Sequence, residues 1–154
     1  MERTLVIVKP DAVNRDLVGE IVSRFERKGM KIAGMKMERL SGEVLGEHYA
    51  HHRGKPFFAG LVKFMSSIPC VILALEGKDA VSVVRKMCGA TNGRDAEAGT
   101  IRGDLSMSTQ ANIVHASDSI ENAGKEIARF FTENELHEYE KVSTACVYAE
   151  DERK

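Results

Sequence analysis

The residues in this sequence best suited to chemistry gather around one histidine. His115 lies in the run Asn112-Ile113-Val114-His115-Ala116-Ser117-Asp118, which reads as a short strand from Asn112 to Ala116 and a helix beginning at Asp118. Asp118 and Glu121 have the D-x-x-E spacing of a capping box, and Ile120, Ala123, Ile127, Ala128 and Phe131 then recur on one helical face. A histidine at such a junction stands beside the free N–H groups and positive dipole end of a helix, a setting that favours anions. An unperturbed imidazole, with a pKa of about 6.5, is mostly neutral at pH 7 and can attack an electrophile without a separate base. The candidate cations for an anionic substrate are Lys9, Arg85 and Arg102, and Thr91 and Asn112 add neutral donors. There is no G-x-x-x-x-G-K-[ST] and no G-x-G-x-x-G, so phosphate would have to be handled by side chains rather than by a glycine-rich cradle.

Other constellations are less telling. His48, His51 and His52 have the i, i+3, i+4 spacing of a helical metal pair, but no third ligand follows at a matching distance, and Arg53 and Lys55 would repel a cation. Phe57-Phe58 after Pro56 reads either as core or as an aromatic shelf for a base, and Met30, Met35 and Met37 read as core or interface filling. Cys70, Cys88 and Cys146 are odd in number and far apart, as expected of reduced thiols in a cytoplasmic protein. A net charge of −1 argues against nucleic acid or a membrane surface as partner. The start of the chain lacks the pattern of a signal peptide, and no apolar run approaches the roughly 20 residues of a membrane span.

The elements that must position these residues follow from periodicity. Arg3–Lys9 is apolar at nearly every position, like a central strand covered on both faces. A helix follows Pro10-Asp11 with Val18, Ile21, Val22 and Phe25 on one face, stopped by Gly29. Lys31–Leu40 is a second strand, more open on one side. Ser41 caps a short helix to about His52, and a second runs from Phe57 to Met65. Pro69–Glu76 is a third buried strand, and Asp79 caps a helix with Ala80, Val83, Val84, Met87 and Cys88 inward. Ala90–Gln110 shows no clear period and reads as a long, functional loop. After the helix to Phe131, Thr132 and Glu135 form a capping box. With the inserted helical pair set aside, the order is βαββαβ, the ferredoxin-like α+β arrangement of a four-stranded antiparallel sheet with two helices on one face. The 154 residues suit one domain, 1–154. On these residues alone the chain reads as a cytoplasmic α+β domain with an anion site near His115.

Several runs together resemble the nucleoside diphosphate kinase family over roughly Glu2 to Tyr148. They are Lys9-Pro10-Asp11, L-V-G-E at 17–20, His48-Tyr49, K-P-F-F at 55–58, G-L-V at 60–62, G-x-T-N at 89–92, G-T-I-R-G-D at 99–104 and N-x-x-H-x-S-D at 112–118. The resemblance implies ping-pong transfer of a γ-phosphoryl group from a nucleoside triphosphate to a nucleoside diphosphate through phosphohistidine at His115. It implies that Lys9, Arg85 and Arg102 with Mg²⁺ neutralise the phosphates, that Thr91 donates to a phosphate, that Asn112 and Lys9 hold ribose hydroxyls and nearby oxygens, and that Phe57 stacks on any base. Glu126, helped by Ser117, matches the carboxylate that orients the imidazole. Tyr49 matches a tyrosine near the histidine, and Asp118 a position close to the metal. A homohexamer is expected, with a homotetramer as the alternative. Ala12 and Ala116 stand where the family often has Gly, and Ala116 would be crowded only if its φ were positive. Two other readings use the same pocket: a regulatory nucleotide-binding module, and a phosphocarrier passing phosphate to a protein.

Overall fold

A computed structural model describes residues 1–153 of the chain. In chain order the elements are β1 (Glu2–Val8), α1 (Pro10–Asn14), α2 (Val18–Lys28), β2 (Lys31–Glu38), α3 (Gly42–His48), α4 (Phe58–Met65), β3 (Cys70–Gly77), α5 (Ala80–Cys88), α6 (Ile101–Leu105), β4 (Val114–Ala116), α7 (Ile120–Phe130) and α8 (Thr144–Val147). The strands form one antiparallel sheet in the order β2-β3-β1-β4. The ferredoxin-like fold is therefore present.

The pleat explains why β1 over Leu5–Val8 and β3 over Cys70–Leu75 have no polar-facing side, because alternate residues feed two different cores. Val6, Val8, Val71, Leu73 and Leu75 pack against Ile21 and Phe25 of α2 and Ala80, Val84 and Cys88 of α5. Leu5, Ile7, Cys70, Ile72 and Ala74 point the other way, onto Leu45 of α3, Leu61 and Met65 of α4, and Ile127 and Phe130 of α7. The two crossover helices share one face as expected. The inserted pair, with α7, covers the other. Each fully buried Phe, Leu or Ile in these layers contributes about 1.5–3 kcal/mol of apolar transfer energy.

Local signals hold at several ends. Gly29 closes α2 with φ at +104°, which only glycine adopts freely. The Ser41 Oγ accepts from Val44 N at 3.2 Å at the start of α3, and Glu135 accepts from Thr132 N at 2.7 Å. Elsewhere the structure corrects the expectations. The helix after Pro10 is broken in two, with Asp16 at φ +57° between α1 and α2. The helix from Ser41 stops at His48, and Ala50–His52 is a separate 3₁₀ turn. Asp79 sits at φ +49° with no side-chain cap; α5 instead offers the Val81 N–H to a Glu2 carboxylate oxygen at 3.4 Å.

The stretch Ala90–Gln110 is not a plain loop. It holds a 3₁₀ turn at Gly93–Asp95 and α6, which is tied to α2 by Arg24–Asp104 at 2.7 Å. A Cβ on Gly103 would lie 2.0 Å from the Glu97 carbonyl, so only glycine lets α6 seat there. The last strand begins at Val114 rather than Asn112, and α7 is capped by Ser119, whose Oγ accepts from Asn122 N at 3.1 Å. Asp118 accepts from the Asn122 side chain at 2.6 Å and Glu121 pairs with Lys125, so the expected D-x-x-E box does not form. Ala116 is an ordinary strand residue, and the positive φ in this run belongs to Ile113 at +75°. Met30 is core, whereas Met35 and Met37 are more than half exposed on the outer strand β2.

Candidate active site

The pleat of β4 decides which way His115 faces. In the β1–β4 register Ile7 lies opposite His115, while Val6 and Val8 lie opposite Ala116 and Val114. His115 therefore shares the face of Ile7, the one covered by α3, α4 and α7. Lys9, extended at φ −77° and ψ 166°, continues the Leu5–Ile7 side.

On that face the His115 Nε2 lies 3.1 Å from Oε1 of Glu126, one of the polar positions on α7. The Ser117 hydroxyl donates to the other oxygen of Glu126 and accepts from Leu5 N at 3.2 Å. Burial works against the charge on Glu126, yet the His115 ring and the Ser117 hydroxyl hold its carboxyl below the usual range. A carboxylate bound at Nε2 fixes the proton there, which leaves the lone pair on Nδ1. His48 packs edge-on against His115, with ring centroids 4.5 Å apart, and Tyr49 lies at 6.1 Å. Burial, then His115, pushes the His48 pKa down to about 3, so its ring is neutral. His48 Nδ1, His115 Nε2 and Glu126 Oε1 lie within 4.8 Å of one another, the ligand-like trio among the described residues. An Arg129 guanidinium nitrogen 3.4 Å from that same His48 atom makes the spot unsuited to a cation.

A second set is cationic and tied to backbone carbonyls. Lys9 is 7% exposed, and its Nζ donates to Asn112 Oδ1 at 2.6 Å and to Gln110 O at 3.3 Å. Burial, then the nearby Arg102, lowers its pKa to about 8, and Asp11 works the other way. Arg102 donates from Nε to Asn112 O at 3.2 Å, from Nη1 to Gly89 O at 2.8 Å and from Nη2 to Val114 O at 2.7 Å. Of the five guanidinium N–H groups, two stay available to an anion. The Asn112 amide donates to Thr91 O at 2.8 Å. Arg85 on α5 is exposed and close enough to influence both Arg102 and Asp118.

The third part is an aromatic ledge. Phe57, just before α4, is 48% exposed. His52 meets it edge-on at 5.1 Å and lies 6.1 Å from Tyr49, with the two rings nearly parallel. The arrangement is an apolar shelf at one end, a half-buried imidazole with one free nitrogen in the middle, and fixed cations at the other end. Its chemistry is nucleophilic attack on a polyanion that also carries a flat group.

Comparison with known proteins agrees. The nucleoside diphosphate kinase family model matches residues 2–136. The chain belongs to the nucleoside diphosphate kinase family. It is 55% identical over 152 residues to a nucleoside diphosphate kinase of Parabacteroides distasonis, covering 99% of each chain. It is 57% identical over 135 residues to one of Staphylothermus marinus, covering 88% of this chain and 96% of the relative. A nucleoside diphosphate kinase of Halobacterium salinarum, solved in complex with CDP, superposes with a TM-score of 0.94 at 46% identity over 96% of this chain and 99% of that one. Nucleoside diphosphate kinases catalyse phosphoryl transfer between nucleotides, and this chain is an enzyme of that class, a transferase that generally needs a divalent metal. No helix among the described residues is long and apolar enough to cross a membrane.

Within this kinase fold, the residues singled out in the sequence fall into linked groups. His115, Glu126 and Ser117 are hydrogen-bonded together, as are Lys9, Asn112, Arg102 and the Thr91 carbonyl. Tyr49 is buried beside them with its hydroxyl unpartnered among the described residues. Phe57, Arg85 and Asp118 are exposed around this centre rather than bonded to it. The sequence offered His48 with His51 and His52 as a helical metal pair and in the His48-Tyr49 run, with no task; its neighbours across the fold come from β4 and α7, which helical spacing cannot reveal. Arg129 was missed altogether, and Asp11 was quoted in a motif without a task.

Proposed function

We propose that this chain is a ping-pong nucleoside diphosphate kinase in which the His115 Nδ1 carries the phosphoryl group between a nucleoside triphosphate and a nucleoside diphosphate. The observation that supports this most is the His115 Nε2–Glu126 contact at 3.1 Å, because it leaves Nδ1 unprotonated and stabilises the cation that phosphorylation creates. Serine 117 holds Glu126 in turn, and Tyr49 and His48 wall the ring. A loose phosphoryl transition state calls for positioning and charge neutralisation rather than a strong base. Lys9, Arg85 and Arg102 supply the charge, Thr91 donates to a phosphate, and Asn112 with Lys9 holds ribose hydroxyls. Phe57 stacks on the base without reading its edge, so purine and pyrimidine nucleotides are all accepted; the CDP bound by the Halobacterium salinarum relative suits such a shelf.

The metal in this reading is Mg²⁺, which would supply neutralisation of the negative charge that develops on the phosphates. The residues present fit it: the exposed Asp118 carboxylate, held by Asn122, is a hard oxygen group suited to an indirect contact with an ion that phosphates and water would hold. We read residues 1–154 as one cytoplasmic domain, consistent with free Cys70, Cys88 and Cys146. The assembly is a homohexamer, with a homotetramer as alternative; support comes from Met35 and Met37, 56% and 59% exposed on the outer strand. Light scattering distinguishes six from four chains of 17.0 kDa.

The test is incubation with γ-labelled ATP and Mg²⁺ in the absence of acceptor. An acid-labile, alkali-stable phosphoprotein that GDP discharges to GTP is expected, and the His115→Ala variant should bind nucleotide yet stay unlabelled. Absence of label on the wild-type protein despite nucleotide binding would favour a regulatory binding module. Label that no nucleoside diphosphate removes would favour a phosphocarrier.

A further inference from the structure

The backbone ahead of β4 makes a turn that its side chain opposes. Ile113 has φ +75° and the Val114 N–H donates to the Asn112 carbonyl at 2.8 Å. Together these describe a tight γ-turn with a β-branched residue at its centre, a rare and strained conformation. The Ile113 side chain is fully buried, so the strain is not relieved by exposure. Both backbone groups of Ile113 are instead claimed by the segment after β1: its carbonyl accepts from Lys9 N at 2.9 Å, and its N–H donates to Asp11 Oδ2 at 3.0 Å. The residues on either side of the turn are functional ones. Asn112 directs its side-chain oxygen at Lys9 and its carbonyl at Arg102, and Val114 starts the strand that carries His115.

We propose that Asp11 is a positioning residue for phosphoryl transfer: its carboxylate clamps Ile113 in the γ-turn that aims Asn112 and sets the start of β4, and its negative charge supports the buried Lys9 ammonium. The first half follows from the Ile113 N–H bond, since relaxing φ to a negative value would swing the Asn112–Ile113 and Ile113–Val114 peptides and carry Asn112 off Lys9. The second follows from what surrounds Lys9. The charged or titratable groups facing it are Arg102 from α6, Asp11 from α1 and the Cys70 thiol from β3, with Asn112 Oδ1 and Gln110 O as neutral acceptors. Asp11 is the anion in that set. One of its oxygens is occupied by Ile113, and the other is buried and unpartnered among the described residues, so the carboxylate is kept at a cost that a surface role would not require.

The inference rests on the phosphohistidine reading, and its test includes a readout that needs no turnover. Amide hydrogen exchange at Ile113 should be slow in the wild type and in Asp11→Asn, whose amide oxygen still accepts, and fast in Asp11→Ala. In turnover assays Asp11→Ala should lower kcat/KM by roughly ten- to hundredfold, the size of losing a hydrogen bond to a charged group. Asp11→Asn should stay much closer to wild type near pH 7 but lose activity at lower pH on the alkaline side of the kcat/KM profile, because Lys9 gives up its proton more easily without the neighbouring charge. Adding Ile113→Gly to Asp11→Ala should recover part of the lost rate, since glycine needs no clamp to hold a positive φ. Unchanged exchange at Ile113 in Asp11→Ala would overturn the clamp. Equal profiles for Asp11→Asn and the wild type would overturn the support of Lys9. A wild type that turned nothing over, with Ile113 still protected by Asp11, would instead count against the phosphohistidine reading.

Discussion

The two ends of the site are built in opposite ways. At the end proposed to bind phosphate, Lys9, Asn112 and Arg102 are knitted to one another and to the backbone carbonyls of Gly89, Gln110, Asn112 and Val114, and most of their donors are already engaged. At the end proposed to take the base, Phe57 is 48% exposed, and its neighbours His52 and Lys55 touch it only through ring-edge and cation–π contacts at 5.1 and 5.8 Å. The difference teaches where precision is needed. A transferring phosphoryl group must meet a fixed array of positive charge, so those side chains are immobilised before substrate arrives. A base that is not to be distinguished from its alternatives needs only a flat apolar surface, for which an exposed ring serves.

The contrast predicts unequal responses to substitution. Arg102→Lys should have the largest effect, lowering kcat/KM on the order of a hundredfold while keeping the charge, because an ammonium cannot span three carbonyls and still face an anion. A near-normal rate in steady-state assays would mean that charge alone matters at this end and would erase the distinction. Phe57→Ala should raise KM several-fold for every nucleotide with kcat little changed, the loss of about 1–3 kcal/mol of stacking at most. A fall confined to purines would show that the shelf reads the base after all.

The remaining effect is on stability rather than rate and belongs to the buried interior. His48 has a folded pKa of about 3 against an ordinary 6.5, so between those values the unfolded chain binds more protons than the folded one. Stability should therefore fall as pH drops from about 6.5 towards 3. His48→Phe should flatten that acid flank in thermal melts between pH 4 and 7, whereas His51→Phe, on the exposed turn, should leave it as it is.

How much of this was legible in the sequence depended on the range of the forces involved. β1, β3 and α5 could be read because burial imposes a period on consecutive residues, and Gly29 and the Thr132–Glu135 box because their signals are local. The turn at Ile113 was not, since contacts from Lys9 and Asp11 arrive from elsewhere in the chain, whereas the split between α1 and α2 and the Ser119 cap are local features, the cap bonding only as far as Asn122, that the spacing of apolar residues does not mark. Ile113 is the clearest case: nothing about an isoleucine suggests positive φ, and the groups that meet its backbone there are Lys9 N and the carboxylate of Asp11, the latter 102 residues away in sequence. The inserted pair was set aside when the strand order was read, yet α3 and the approach to α4 bring His48, Tyr49 and Phe57 to the site. Sequence pattern revealed that these helices exist; the pleat of β4 decides that their face is the one with the histidine.

The bond between Leu5 N and Ser117 Oγ has a consequence for how this chain tolerates change. Beyond Ala116 the pairing of β1 and β4 continues with Ser117 N donating to Leu5 O at 3.1 Å, but the return bond ends on the serine hydroxyl rather than on a backbone carbonyl. That same hydroxyl gives its proton to Glu126. On the proposed mechanism, folding and turnover thus impose their demands on a single oxygen atom, and no substitution at position 117 can be neutral for one and informative about the other. A library screened only for thermal survival should return serine at 117 nearly as often as one screened for phosphoryl transfer.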